Sequence, residues 1–199
     1  MEAGITVVNF DVALDAEAKE KQGVNLAFVG PDNRQGAKMA GDALALALGA
    51  GAKVVIIEGN PGADNANERR LGFEDAVAEY NLNLVDSRTA YWETEEANTV
   101  FANMLTANPD IQGVMAANDS MAIGVVQALE AAGRDDILVV GFDNVPAAKA
   151  LVDEGKLLAT IDQFGTDMAA NAIDLAIEVV KGGPELEGWV RTPIELVQK

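Results

Sequence analysis

The sequence predicts an α/β fold, a doubly wound and mainly parallel sheet with helices on both faces. Three observations point to it. Short apolar runs rich in β-branched residues recur along the chain, stretches of helical spacing lie between most of them, and Gly, Asn or Pro marks many of the joins. Most of the runs are predominantly apolar, as expected of strands buried on both sides by helices.

In order, the apolar runs at 5–10, 24–29, 54–57, 82–85, 113–116, 137–142 and 157–161 read as strands. Helical spacing covers 34–48, 65–80, 93–108, 120–132 and 145–154. Gly49 and Gly51, Gly133, and Asn108-Pro109 supply helix stops. A last helix is expected over 166–181, where Met168, Ile173, Leu175, Val179 and Val180 recur, followed by a Gly182-Gly183-Pro184 turn and one strand over 189–197. The polar stretch 15–22 reads as a linker.

Composition narrows the chemistry. In 199 residues, 32 acidic side chains face 14 basic ones, a net charge of −18 that argues against a nucleic-acid surface. The acidity is spread along the chain and reads as a solvated, repulsive surface. With no Cys and no His, disulfides, thiolate nucleophiles and the commonest general base and transition-metal ligand are excluded. An apolar content of 49% is ample for a core, yet no apolar run approaches the roughly 18 residues that span a bilayer. Met1-Glu2-Ala3-Gly4 carries no basic and apolar signal segment.

Ligands of an open parallel sheet bind beyond the carboxyl ends of its strands, so the residues after each run are the informative ones. These are Asp11, Asp32-Asn33, Gly59-Asn60-Pro61-Gly62, Asn118-Asp119, Asp143-Asn144 and Asp162-Gln163. Any one Asp or Asn here could simply cap a helix or form a turn. The set suits a neutral polyhydroxylated ligand, whose hydroxyls share hydrogens with carboxylates and carboxamides. Trp92 and Phe142 are candidate platforms for an apolar sugar face, with ordinary core packing as the competing reading. Arg69, four residues before Phe73 on the helix opened by Asn65-Ala66-Asn67, either faces this rim or pairs at the surface with Glu68 or Asp75. EGNPGADN follows a strand as a phosphate loop would but lacks G-x-x-x-x-G-K-[ST].

The strings GVMAANDSMAIGVVQALEAAG, ILVVGFDNVP and GKLLATIDQ, with NERRLGF and ITVVNFD, resemble the periplasmic sugar-binding proteins of the ribose-binding type, the solute receptors of ABC importers. The resemblance runs along essentially the whole chain. It implies a type I periplasmic-binding-protein lobe of flavodoxin-like build that binds a pentose or hexose without catalysis, cofactor or metal, and that docks on an ABC permease from the periplasm. It matches Asp11, Arg69, Asn118, Asp143 and Gln163 to the family's polar sugar ligands and Trp92 and Phe142 to its contacting aromatics, with Asn65 lining the pocket. Val12 departs from the Arg that many ribose binders carry after the Asp.

The family has two lobes joined by three crossings, and the first four strands of its first lobe have no counterpart here. The resemblance therefore implies first-lobe remnants at 1–31 and 164–183, a sugar-binding lobe over 32–163, and a final crossing segment and strand over 184–199. The uncovered apolar sides of the remnants predict a homodimer. Two alternatives stay open. One is the effector domain of a lactose-repressor-type regulator, which shares NDxMAxG and GFD but not the segments AAGRDDILVVGFD and GKLLATIDQ. The other is a Mg²⁺-dependent flavodoxin-like phosphotransferase.

Overall fold

The computed structural model describes residues 4–183 and 188–199, so Met1, Glu2 and Ala3, and Pro184 with the three residues after it, lie outside the described residues. In chain order the elements are β1 (Asn9–Phe10), α1 (Ala16–Lys21), β2 (Phe28–Gly30), α2 (Asn33–Leu48), β3 (Lys53–Glu58), α3 (Asp64–Glu79), β4 (Asn83–Thr89) and α4 (Thr94–Ala107). There follow β5 (Gly113–Ala116), α5 (Asp119–Ala132), β6 (Leu138–Val140), α6 (Pro146–Glu154), β7 (Ala159–Asp162), α7 (Gly165–Val180), β8 (Trp189–Arg191) and β9 (Glu195–Gln198). The chain divides into two units, one of residues 33–162 and 195–199 and one of 1–32 and 163–194.

The larger unit is built on a six-stranded sheet of order β4-β3-β5-β6-β7-β9, parallel except for β9, which runs antiparallel to β7. Helices α2 and α3 pack as one pair, and α4, α5 and α6 form the other layer. Burial on both faces explains the apolar runs: Val54, Val55, Ile56 and Ile57 are all buried, as are Val114, Met115 and Ala116. Helix α5 begins one residue before the expected 120, capped by the Asn118 side chain, and closes as expected at Gly133, which is in the left-handed region (φ 66°).

In the smaller unit a parallel sheet of order β1-β2-β8 is packed by α7 through Val29, Met168 and Ala172, with Val8, Leu175 and Val190 at the margin. Ile173, Ile177 and Val180 lie on another stripe of α7 and are exposed, as are Ile5, Phe10 and Trp189.

Three expectations are corrected. The runs at 5–10 and 24–29 form ladder only at β1 and β2, because β-branched composition favours extended backbone whereas a strand needs a paired neighbour. The expected linker contains α1, a helix with no buried residue. Asp15 Oδ1 caps it by accepting from Ala18 N–H at 2.7 Å, and Glu17 pairs with Lys21 at 2.7 Å, neither of which apolar periodicity can detect. The single strand expected over 189–197 is two strands in two sheets, β8 on β2 and β9 on β7. Pro193, between them, has no N–H to donate and restricts Thr192.

Candidate functional site

In the larger unit the strand order reverses between β3 and β5, and Arg69 reaches that switch point from the second turn of α3. Its side chain is 3% exposed. The guanidinium donates from Nε to Asn33 Oδ1 at 2.9 Å and from one terminal nitrogen to the carbonyl of Ala117 at 2.9 Å. The same nitrogen lies 3.4 Å from Asp143 Oδ1. The cation sits 3.6 Å from the Phe142 ring centre and 5.7 Å from that of Trp92. The alternative surface pairing is thereby excluded: Asp75 is held instead by Arg34 at 2.6 Å. That guanidinium is the main reason the Asp75 carboxyl is held below its usual range.

Around the cation the other candidates of this unit take distinct roles. Asn65 lies one turn before Arg69 on α3, and its Oδ1 is buried without a hydrogen-bond partner. An orphaned buried acceptor is costly unless a donor such as a ligand hydroxyl reaches it. Asn118 commits its Oδ1 to the Met121 N–H at 2.9 Å. Its remaining amide hydrogens suit a ligand oxygen. The Asp143 side chain is 25% exposed. Trp92 is half-buried and lies against Gly59, where an added Cβ would come within 2.1 Å of the indole ring. Phe142 is completely buried, so in this unit its ring serves as the floor under Arg69.

Backbone strain falls on the same positions. Asp143 has φ 117°, Asn144 φ 53° and Trp92 φ 73°, values that cost a non-glycine residue roughly 1–3 kcal/mol. In the smaller unit Asp11 has φ 68° and donates its N–H to Val29 O at 3.1 Å, and Gln163 is half-buried just before Phe164, φ 52°.

Sequence reading did not single out Asn33, which orients Arg69, or Thr160, which touches Asp119. Asn33 was visible only as one of several strand-end residues, and Thr160 carried no signal. A cavity of about 480 Å³ opens near the amino ends of β6 and β7, between Leu129, Ile137, Val152 and Leu157, and is lined by none of the candidates.

Residues 1–184 match the family described as the periplasmic binding protein domain. The chain belongs to the periplasmic binding protein family. Among its relatives is the D-ribose/D-allose-binding protein of Pseudomonas aeruginosa, 41% identical in an alignment of 201 positions that covers 99% of this chain and 63% of the relative. The ribose import binding protein of Escherichia coli is 40% identical across 86% of this chain and 57% of its own length. The chain thus spans about three-fifths of these relatives. An ABC transporter periplasmic solute binding protein from Actinobacillus succinogenes, solved with bound D-allose, superposes with a TM-score of 0.95 at 42% identity, covering 100% of this chain and 70% of that one. The Caulobacter myo-inositol binding protein, bound to myo-inositol, gives 0.91 at 30% identity, over 100% and 67% of the two chains. The α/β fold expected from the sequence is that of the type I periplasmic binding proteins.

Proposed function

We propose that this periplasmic binding protein domain binds a monosaccharide of the ribose or allose class without turning it over, as part of the solute receptor of an ABC importer. The observation that carries the reading is the buried Arg69, seated on Phe142, beside Asp143 and one turn from the orphaned Asn65 acceptor, at the switch point of a parallel sheet. A buried cation with a partly exposed carboxylate and an unsatisfied amide offers donors and acceptors for several hydroxyls, and Trp92 offers a face for ring C–H groups. The named transport proteins that share the chain's sequence support a receptor over a regulator or a phosphotransferase. Asp11 and Gln163, in the smaller unit, are proposed as further sugar ligands on the motifs ITVVNFD and GKLLATIDQ. The same reading places the protein in the periplasm with a permease as its partner. The divisions 1–31, 32–163, 164–183 and 184–199 remain its domain proposal.

Calorimetric titration with D-ribose and D-allose tests it. Asp143→Ala and Asn118→Ala should each weaken binding by about 1–3 kcal/mol, because each removes a partner of ligand hydroxyls in a desolvated site. Wild-type affinity in both variants would overturn the assignment.

The exposed stripe of α7 and the edges of β1 and β8, which carry no further strand among the described residues, favour one further proposal, that two copies of the chain associate through the smaller unit.

A further inference from the structure

Asp119 follows the sugar-site candidate Asn118, yet its side chain is wholly buried. Its Oδ1 accepts from Thr160 Oγ1 at 2.7 Å and its Oδ2 from the Val145 N–H at 2.9 Å, while its own N–H donates to Phe142 O at 2.8 Å. Thr160, also buried, in turn accepts the Asn144 N–H at 3.3 Å. The Asp143 N–H donates to Ile161 O at 2.7 Å. Apart from the Thr160–Asp119 bond itself, each of these bonds falls on the turn 142–145, in which Asp143 and Asn144 both have positive φ. Gly141 completes the arrangement: a Cβ there would stand 2.3 Å from Asp119 Oδ1, so the carboxylate lies hard against the end of β6.

We propose that Asp119, acting with Thr160, is a positioning residue that holds the turn 142–145 in the strained conformation presenting Asp143 to the sugar. This rests on the sugar-binding reading above. Two consecutive left-handed non-glycine residues are disfavoured on their own and persist only where the surroundings over-determine them. Here one hydroxyl and one carboxylate take the amides of Asn144 and Val145. The burial that raises the Asp119 carboxyl to about pH 7 is a cost that a purely space-filling side chain would not carry. Asn118, by contrast, spends its side-chain oxygen on its own helix, whereas the Asp119 side chain ties α5 to the turn.

The test compares Thr160→Val, which keeps the shape and deletes the hydroxyl, with Thr160→Ser, which restores it, in the 199-residue chain. Two readouts are taken: amide hydrogen exchange at Asn144 and Val145 by NMR, and affinity for D-allose and D-ribose by calorimetry. Thr160→Val should speed exchange at Asn144 at least tenfold relative to the Ile56 amide and weaken sugar binding at least fivefold, and Thr160→Ser should recover both. Asp119→Asn supplies the comparison at Val145 should Thr160→Val not fold. Unchanged exchange would show that the pair does not hold the turn. Faster exchange with wild-type affinity, or weakened affinity that Ser fails to rescue, would overturn the positioning role. If the wild-type chain takes neither sugar, the receptor reading fails by itself, and the positioning role fails with it, whatever the exchange rates show.

Discussion

Arg69 and Asp119 illustrate two ways of burying a charged group. Arg69 is planar and weakly hydrated, and it keeps its charge by stacking on Phe142 and donating to Asn33, Ala117 and Asp143. Asp119 is compact and, despite hydrogen bonds from Thr160 and Val145, its carboxyl is pushed up to about 7, first by desolvation and further by the charge of Asp143. An acid whose folded value lies above its unfolded value near 3.8 binds its proton more tightly in the native state. Its contribution to stability is therefore complete below about pH 4 and is lost as pH rises through about 7. Relative to Asp119→Asn, which does not titrate, the wild-type protein should lose about 4 kcal/mol across that window. Urea unfolding of both proteins between pH 4 and 8 measures the difference, and a gap independent of pH would show that Asp119 titrates alike folded and unfolded.

At the scale of elements, the site depends on helices that approach closely enough to place side chains from separate turns around one point. Helices α4 and α5 touch at Gly124, where an added Cβ would meet Thr94 O at 2.1 Å and Asn98 N at 3.1 Å. Asn98 also donates its side-chain N–H to Gly124 O at 3.2 Å. Because the obstacle is backbone, it cannot rotate aside as a side chain would. Gly124→Ala should force the two helices apart and destabilise the protein by about 1–3 kcal/mol, read from the midpoint of denaturant unfolding. Since α5 begins at Asn118 and Asp119, the same substitution displaces the base of the site as well. An unchanged midpoint would mean that the pair tolerates a wider spacing.

For the molecule as a whole, the charge and the apolar surface act in opposite directions. Ile173, Ile177 and Val180 of α7 and Phe10 and Trp189 of the small sheet remain exposed, an arrangement that favours association. A net charge of −18 on each copy opposes it at low ionic strength, and salt screens that repulsion over a Debye length of about 8–10 Å near 0.1 M. The proposed dimer should therefore strengthen with salt. Light scattering at low and high salt tests this, with Ile177→Glu expected to return the chain to monomer. A strict monomer at high protein concentration under both conditions would refute it.

Local chemistry in the sequence determined the alternation of strands and helices, the Gly133 end of α5, and the rim of polar residues following the strands. Each of these rests on neighbours a few positions apart, where propensity, capping and periodicity act. The burial of Arg69 was decided only by the tertiary structure, because its partners Asn33 and Asp143 stand 36 and 74 positions away. The same is true of the Asp119–Thr160 bond, across 41 positions, and of the final segment, which is divided between two sheets according to which strand edge each half can pair with. Even α1, a purely local helix, escaped detection because its cap and ion pair leave no apolar stripe. Hydrogen bonds and charges become specific when folding brings distant groups together away from water, and a pattern of apolar and polar residues along a chain does not encode which of them will meet.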